Sequence, residues 1–485
     1  MRRFVECRSF PALAVFVTVA CSSSDDGSTG DRRDGGAVDG AEDARALDAG
    51  GADDAGDAGH RADGGGPSDA ADVPDANDAG EEDAGAPSAW PIERVTVGAG
   101  GAESDANTNV IVISQTGRFA AFRSGATTIS DDVPTVGLRV FLRDRQTDST
   151  TVVNLNNDGE SIGSIDNIDL SDDGTRILFE SRRNLFNEEP SSAQEVFVHD
   201  TTTGTTALVS LLDDESYIVG GSQEGRISGN GRYVVFLSDG PNLPVPTGHL
   251  LVFIRDLREG TTRLVSQLDG EPSNRAALDA DPSDDGRRVV FQSQATNLGA
   301  GGDGVSRQIY MADLDDETIE LVSVSDSGEP VSGIAQRGRI SGDGRFVAFG
   351  TSDLLVEGAP PGLYIYLRDT ELDTTIIASV DENGDPITTP PFPPSISDDG
   401  RFVAFETFAS GEAGDTDTQV DVYVFDRLTG TSRRVSLTSE AEDPDRPSNE
   451  PSMSGDGTTV GFLSASTNMV PEKTTLVNDG YVVEP

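Results

Sequence analysis

The chain has 485 residues, of which 85 are Asp or Glu and 35 are Lys or Arg, giving a formal net charge of −50. This balance excludes nucleic-acid binding, because phosphate groups require basic side chains to displace their counterions. It also argues against a protein that lies flat on an anionic lipid surface. The length fits either several ordinary domains or one large closed architecture.

Residues 1–21 are predicted to be a targeting segment. Three arginines precede an apolar run of 11 residues that begins at Phe10. This run is too short for a permanent membrane-spanning helix, which needs about 20 residues. Ala20 precedes Cys21, which resembles the bacterial lipoprotein signal, in which the Cys is lipidated and becomes the new N-terminus. Thr18 departs from that signal, which usually has Leu there, and ordinary secretory cleavage after Ala20 is the alternative.

Residues 22–89 form a low-complexity segment rich in Asp, Ala and Gly. They contain 19 acidic and 4 basic residues, no aromatic residue and only three large aliphatic ones. Such a segment buries too little apolar area to offset its ordering entropy, and its like charges repel one another. We therefore predict a disordered tether. An acidic tail that captures cations or a basic partner is the alternative.

From Trp90 onward a turn signal followed by an apolar run recurs seven times. The glycines of these turns are spaced by 57, 57, 55, 58, 56 and 57 residues, and seven such units account for the 396 residues of 90–485. A fixed period of this length is typical of repeat architectures. The turn glycines are Gly117, Gly174, Gly231, Gly286, Gly344, Gly400 and Gly457.

Each unit is predicted to contain four short strands, A to D. Strand A ends in Ser and precedes an Asp-Gly or Asn-Gly pair in most units, which supplies the positive φ of a tight hairpin turn. Strand B is a β-rich run such as 233–236, and strand D follows a second tight turn. Strand C ends in Asp in six units, and these Asp side chains are expected to accept hydrogen bonds from the turn backbone.

The seventh unit indicates how the array closes. Its strand C ends at Glu484, where the other units carry Asp, and its missing strand D is matched by residues 92–97 at the other end. Pairing of the first and last segments would close a ring and leave no exposed sheet edge. The predicted fold class is therefore all-β: a seven-bladed β-propeller over 90–485, preceded by the acidic tether.

The repeat core Ser-x-Asp-Gly-Arg-x-Val-x-Phe, followed by Asn-Leu and by Val-x-Val-x-Asp-x-x-Thr-Gly, resembles the TolB-like (WD40-like) β-propeller repeat of exported bacterial proteins. The resemblance covers about 396 residues and implies the propeller fold. It implies little about function, because propellers host many unrelated activities. The tether stands where TolB itself carries an α/β domain.

Strand order places the short A–B and C–D turns on one face and the long B–C and D–A connections on the other, here named the short-turn face and the long-loop face. Binding residues concentrate on loops held by a rigid scaffold, so a partner site is expected on the long-loop face, around the central opening. Packing of each aromatic under its own loop is the alternative. The candidate contact residues are Arg183, Phe186, Tyr217, Phe392 and Phe408.

One long loop is a candidate Ca²⁺ site. Asp415, Asp417 and Asp421 lie at positions i, i+2 and i+6, a spacing that can wrap oxygen ligands around Ca²⁺. The loop lacks the Gly and the distal Glu of an EF-hand, and a solvated acidic loop is the alternative. A second, weaker cluster of carboxylates comprises Asp279, Asp281 and Asp284.

The sequence predicts no enzyme. It contains three His, and one of them, His199, lies within a predicted strand. Residues 159–163 match a nucleophile-elbow pattern but fall between two β units and not at a strand-to-helix turn. We therefore predict a non-enzymatic binding or scaffold protein, lipid-anchored to the bacterial outer membrane on its periplasmic or surface face, whose partner is another protein or an envelope component.

Two alternatives to this function remain at the level of sequence. One is a carbohydrate-active propeller that binds or cleaves polysaccharide, with Ca²⁺ as its cofactor. The other is a purely structural spacer.

Overall fold

The computed structural model describes residues 90–130, 137–159, 165–182, 193–408 and 418–485. The predicted signal segment and tether lie outside these residues. Across the described ranges, no helix combines the length and the hydropathy that a membrane span requires. In the same ranges, nearly all regular structure is β, in seven antiparallel sheets of four strands and one two-stranded hairpin.

Each four-stranded sheet is one blade, with strand A innermost. The strands A to D are β2 (Thr108–Ile113), β3 (Phe119–Ser124), β4 (Arg139–Asp144) and β5 (Ser149–Val152) in blade 1; β6 (Ile165–Leu170), β7 (Arg176–Ser181), β8 (Glu195–Asp200) and β9 (Thr205–Leu208) in blade 2; β10 (Gln223–Ile227), β11 (Tyr233–Ser238), β12 (Leu251–Asp256) and β13 (Thr261–Leu264) in blade 3; and β16 (Ala277–Pro282), β17 (Arg288–Ser293), β18 (Gln308–Asp313) and β19 (Thr318–Leu321) in blade 4.

The remaining three blades follow the same order. They consist of β20 (Ala335–Ile340), β21 (Phe346–Thr351), β22 (Tyr364–Asp369) and β23 (Thr374–Ile377) in blade 5; β24 (Ser395–Ile396), β25 (Phe402–Thr407), β26 (Asp421–Asp426) and β27 (Thr431–Arg434) in blade 6; and β28 (Ser448–Met453), β29 (Val460–Ser464), β30 (Asp479–Val483) and β1 (Ile92–Arg94) in blade 7. The hairpin β14 (Gln267–Leu268) and β15 (Glu271–Pro272) lies between blades 3 and 4, and a 3-10 turn spans Ala99–Gly101.

The A–B turns depend on glycine for two reasons. The seven turn glycines have φ between 61° and 78°, the left-handed region in which a Cβ is unfavourable. Several also approach the neighbouring blade closely: a Cβ on Gly174 would overlap the ring of Phe119, and one on Gly400 would overlap the ring of Phe346. The recurring glycine therefore sets both the turn and the spacing between blades.

Backbone hydrogen bonds between neighbouring A–B turns form a closed ring around the axis, named here the turn ring. Every blade is joined to the next, and blade 7 is joined back to blade 1. The N···O pairs are Gln115–Asp172 (3.1 Å), Asp172–Gly229 (2.9 Å), Asn230–Asp284 (3.1 Å), Asp284–Gly342 (3.0 Å), Asp343–Asp398 (2.9 Å), Asp398–Gly455 (2.8 Å) and Asp456–Gln115 (2.9 Å).

The core between blades is built around one aromatic pair in each blade. The two rings lie opposite each other on strands B and C, with centroids 5.3–6.1 Å apart and interplanar angles of 16–28°. Such offset pairs stabilise a core by about 0.5–1.5 kcal/mol beyond area burial. The pairs are Phe122–Phe141, Phe179–Phe197, Phe236–Phe253, Phe291–Tyr310, Phe349–Tyr366, Phe405–Tyr423 and Phe462–Tyr481.

The predicted role of the Asp residues that end strand C is confirmed. In blade 1 the Asp144 carboxylate accepts a hydrogen bond from the backbone N of Gln146 (3.0 Å), as in an Asx turn. The structure adds a second role that the sequence did not predict: Arg118, next to the turn glycine, donates Nε and Nη2 to both Asp144 oxygens (3.0 and 2.7 Å). The hydrogen bonds from Arg118 are the main reason that the pKa of Asp144 falls to about 2.

The predicted closure is also confirmed, because β1 pairs with β30 as the fourth strand of blade 7. Arg145 of blade 1 binds both closing strands, through Nε to Glu93 (2.8 Å) and through Nη2 to Glu484 (2.9 Å). Its Nη1 donates to the carbonyl of Gly117 (2.7 Å). Glu484, which stands where the other units carry Asp, therefore forms an ion pair with Arg145 and links the last blade to the first.

Replacing Arg145 with Ala should lower the free energy of unfolding by about 2 kcal/mol, because two ion pairs across the closure are lost and the carbonyl of Gly117 loses its side-chain donor. The control is Arg118→Ala, which removes a bidentate but more exposed pair within one blade and should cost less than about 1 kcal/mol. Urea unfolding followed by circular dichroism measures both. Equal losses would show that Arg145 has no special role in closure.

Candidate ligand site in the central channel

The seven A strands line an axial channel. One cavity of about 370 Å³ lies within it, and a second of about 420 Å³ adjoins it toward the long-loop face. The two cavities share Asn167, Arg226, Arg339 and Pro393 as lining residues. Charged side chains occupy three levels along this channel, from the short-turn face to the long-loop face.

At the short-turn end, Asp172, Asp284 and Asp398 come from blades 2, 4 and 6. We name them the axial triad. One carboxylate oxygen from each lies within 4.8 Å of the others, and Gln115 of blade 1 donates Nε2 to Asp398 (3.1 Å). Within the described residues, this is the one group with the spacing of a metal-ligand set.

Blades 3, 5 and 7 carry glycine where the triad residues stand, and blade 1 carries Gln115. Gly229, Gly342 and Gly455 alternate with the three Asp around the ring, and a Cβ on any of them would overlap a triad carboxylate. None of these three glycines has positive φ, so the reason for glycine is space. Alternation of a small and an acidic residue allows three carboxylates to converge where seven could not fit.

Proton binding by the triad is favoured. Burial, reinforced by the charges of the other Asp residues, raises the pKa of Asp172 to about 7 and that of Asp284 to about 8. Burial also raises the pKa of Asp398, although Gln115 opposes it. Like charges at this distance cannot all ionise without cost, so the triad retains protons near neutral pH or takes a cation with oxygen ligands, such as Ca²⁺.

At the middle level, acidic and basic residues alternate on strands A of blades 2 to 5. Asp169 accepts the backbone N of Ile227 (2.9 Å), and Asp281 accepts the backbone N of Ile340 (3.0 Å), each from the following blade. Burial raises the pKa of Asp169 above its usual range. These carboxylates therefore fasten neighbouring blades and are not free for a ligand.

The long-loop end is ringed by the mouth residues Glu224, Asp279, Arg337 and Glu450. Each stands seven residues before its turn glycine and has a φ of 50–60°. Each lies at a register shift between strands A and B, where a β-bulge re-aims the side chain. For a residue other than Gly this conformation costs about 1–3 kcal/mol.

Within this ring, Asp279 forms an ion pair with Arg339 (3.1 Å). Burial raises the pKa of Asp279, but the charges of Arg339 and Arg226 outweigh burial, and the net pKa lies below its ordinary value. The exposed members are Glu224, Arg337 and Glu450. The mouth thus presents both signs of charge to solvent.

The candidate contact residues have different positions. Phe392 is 45% exposed and lines the channel cavity. Tyr217 and Phe408 are 38% and 56% exposed, on connections of the long-loop face, and neither lines the two channel cavities. Arg183 and Phe186 lie outside the described residues. Of the three candidates that the structure describes, it therefore brings one, Phe392, to the channel.

The predicted Ca²⁺ loop stays a prediction, since Asp415 and Asp417 lie outside the described residues. Asp421 is the first residue of β26 and is buried. Its Oδ1 accepts the hydroxyl of Ser436 (2.7 Å), and Arg434 lies 3.6 Å from its Oδ2. Both oxygens of the Asp421 carboxylate therefore already have partners within blade 6.

The cluster Asp279, Asp281 and Asp284 does not act as one group. Asp279 forms an ion pair with Arg339, and Asp281 accepts a hydrogen bond from a backbone N–H. Asp284 lies instead beside the carboxylates of Asp172 and Asp398, which come from two other blades. His199 is buried and its Nδ1 contacts Thr206 Oγ1 (2.9 Å), as expected for a structural residue. Most of the nucleophile-elbow pattern, 160–163, lies outside the described residues.

The comparisons with known proteins concern the fold. No family model and no curated protein matches the chain. Among solved structures it is similar to TolB from Acinetobacter baumannii, at 15% identity and a TM-score of 0.38 over 67% of this chain and 62% of that one. The chain is a seven-bladed β-propeller.

Two further solved structures are also similar. Putative TolB from Agrobacterium tumefaciens is 16% identical with a TM-score of 0.38, covering 70% of this chain and 95% of that one. Oligogalacturonate lyase from Vibrio parahaemolyticus is 12% identical with a TM-score of 0.48, covering 82% and 97%. At these identities the likeness is one of fold alone.

Asp284→Asn should stabilise the protein at pH 8 in the presence of a chelator. Because the folded-state pKa is raised from 3.8 to about 8, ionisation destabilises the fold progressively as pH rises between these values. We expect a gain of about 1–2 kcal/mol at pH 8 and almost none at pH 4, measured by urea unfolding. The control Asp269→Asn removes the same charge from an exposed turn. An equal or lower stability of Asp284→Asn at pH 8 would show that burial does not penalise the charged form of Asp284.

Gly342→Ala should destabilise the protein by about 1–3 kcal/mol, because its Cβ would overlap the Asp284 carboxylate. Adding Asp284→Gly to this variant should restore most of the loss, since the small residue then stands on the other blade. Thermal unfolding of the two variants is the measurement. Failure of the second substitution to rescue the first would refute the steric account of the alternation.

Proposed function

We propose that this protein is an exported β-propeller, lipid-anchored through Cys21 to the bacterial cell envelope. It acts as a non-enzymatic scaffold that binds another protein or an envelope component. The signal pattern, the acidic tether and the closed ring of blades support this proposal. The partner docks on the long-loop face, over the mouth of the central channel.

The observation that carries the proposal is the ring of mouth residues. Four charged side chains occupy left-handed backbone positions on strands A, where glycine would remove the strain. Strained residues of this kind cluster at functional sites, because the surrounding structure must hold them in place. Side chains fixed on rigid strands present a preorganised surface, which suits binding more than closure of the fold.

The charge of the protein limits the partner. The chain has a net charge of −50, of which the tether contributes −15, so a folded body of strongly negative sign remains. A negative body attracts cationic partners and speeds their approach. Arg337, an exposed mouth residue, then supplies the local exception that fixes orientation.

Glu224→Arg should reduce capture of the envelope partner at least about ten-fold, which corresponds to about 1.4 kcal/mol of binding free energy. Capture is measured by pull-down from detergent-solubilised envelopes with the full chain. The matched control is Glu317→Arg on the short-turn face, since Glu317 is also exposed and has a similar φ of 54°. Undiminished capture by Glu224→Arg would exclude the channel mouth as the docking site.

The non-enzymatic assignment is tested separately by a glycan screen, and turnover of any glycan would overturn it.

A further inference from the structure

Glu406 of β25 is a buried carboxyl group that faces the channel. It is 4% exposed and lines the 370 Å³ cavity. Its Oε1 accepts one long hydrogen bond, from the backbone N of Glu450 (3.4 Å). Its Oε2 is buried and has no hydrogen-bond partner among the residues that the structure describes. A buried acceptor left in this state is costly, so a ligand that supplies a donor would be favoured.

Glu180 shows how the same position is normally satisfied. Both glutamates stand six residues after their turn glycine, Glu180 in blade 2 and Glu406 in blade 6. Glu180 accepts Nδ2 of Asn167 (3.1 Å), the backbone N of Gly225 (2.6 Å) and Nε2 of Gln194. Two side-chain amides and one backbone N–H thus donate hydrogen bonds to both oxygens of the Glu180 carboxylate.

All three donors are missing around Glu406. The position of Asn167 is occupied by Pro393, that of Gly225 by Pro451 and that of Gln194 by Val420. Proline has no backbone N–H and valine has no side-chain donor. The free oxygen therefore follows from the sequence of blades 6 and 7 and does not depend on the rotamer of one side chain.

The surroundings of Glu406 favour an organic cation. Phe392, Pro393, Pro394 and Pro451 line the same cavity and form an apolar wall with one aromatic ring. Burial and the charge of Glu450 raise the pKa of Glu406 to about 7. A cation near these two carboxylates would relieve both effects.

The nearby basic group does not fill this role. Arg123 of blade 1 interacts with Glu450, but its Nη1 donates to the carbonyl of Ile165 in blade 2 (3.1 Å). A divalent metal is disfavoured, because it requires about six or more oxygen ligands and the proline wall offers few. An ammonium group needs only a few acceptors, and its alkyl chain and charge suit an apolar, aromatic wall.

We propose that Glu406 binds the ammonium group of an alkylamine, whose hydrocarbon chain lies against Phe392 and the prolines of blades 6 and 7. The ligand is either a lysine side chain of the docked partner or a free polyamine, which share this chemistry. The inference rests on the proposed function in that it names the group that the channel accepts.

Binding is tested with the full chain by titration calorimetry, using n-butylammonium, Nα-acetyl-lysine methylamide and spermidine as probes and n-butanol as the neutral analogue. The ammonium probes should bind saturably and n-butanol should not. Tighter binding of the blocked lysine identifies a protein segment as the source, and tighter binding of spermidine identifies a polyamine. Absence of saturable ammonium binding would overturn the proposal.

Glu406→Gln should weaken ammonium binding at least about ten-fold, because the charge is lost while the shape is kept. Pro393→Asn should also weaken it, since it supplies the donor that Asn167 provides to Glu180. The matched control Glu180→Gln makes the same change at a satisfied position and should leave affinity unchanged. Near-UV circular dichroism confirms that each variant is folded, and equal affinity of the wild type and Glu406→Gln would refute the assignment.

The two proposals fail in different ways. Ammonium binding that depends on Glu406, together with no captured envelope partner, would remove the scaffold function and keep this subsite. Capture of a partner that is equal in the wild type and Glu406→Gln, without ammonium binding, would keep the scaffold function and remove the subsite.

Discussion

The turn ring is the constraint on which the rest of the structure depends. Seven backbone hydrogen bonds join consecutive A–B turns around the axis, and each blade contributes about the same segment to them. The ring brings the chain so close to itself at the short-turn end that blades 3, 5 and 7 have room only for glycine, as Gly229, Gly342 and Gly455 show. The pairing of β1 with β30, in which Ile92 lies opposite Val483 and Arg94 opposite Tyr481, then completes the seventh blade.

Closure also decides where buried charge is compensated. Beneath blade 7, Asp479 pairs with Lys473 at 3.1 Å, and both side chains are fully buried. Between blades, Asp169 and Asp281 each receive a backbone N–H. A buried charge that lacks a partner is costly, so these carboxylates are paired. The axial triad and Glu406 depart from this pattern, and both face the channel, where a proton or a ligand can supply what the blades do not.

Much of the fold follows from the sequence because its determinants are local and repeated. The turn glycines indicate the number of blades, and Glu484 with residues 92–97 indicates the closure. The axial triad has no such local signal, because its members are 112 and 114 residues apart, one in every second blade. Asp279, Asp281 and Asp284 are close in sequence and so resemble a cluster, yet a register shift in β16 separates Asp279 from Asp281, and Asp284 lies beyond the strand in the A–B turn. The unsatisfied oxygen of Glu406 becomes evident only beside the donors that surround Glu180, and those come from two blades.

The irregularity of blade 6 and the candidate ligand position have one cause. Strand β24 is only Ser395–Ile396, because Pro393 and Pro394 cannot donate to the ladder with β25. The same prolines replace the donors that a carboxylate on β25 would otherwise find. A ring of equal blades has no preferred side, so a ligand on its axis would meet seven similar walls. Shortening one innermost strand breaks that symmetry, and on this side the prolines form an apolar wall beside the unsatisfied carboxyl group of Glu406.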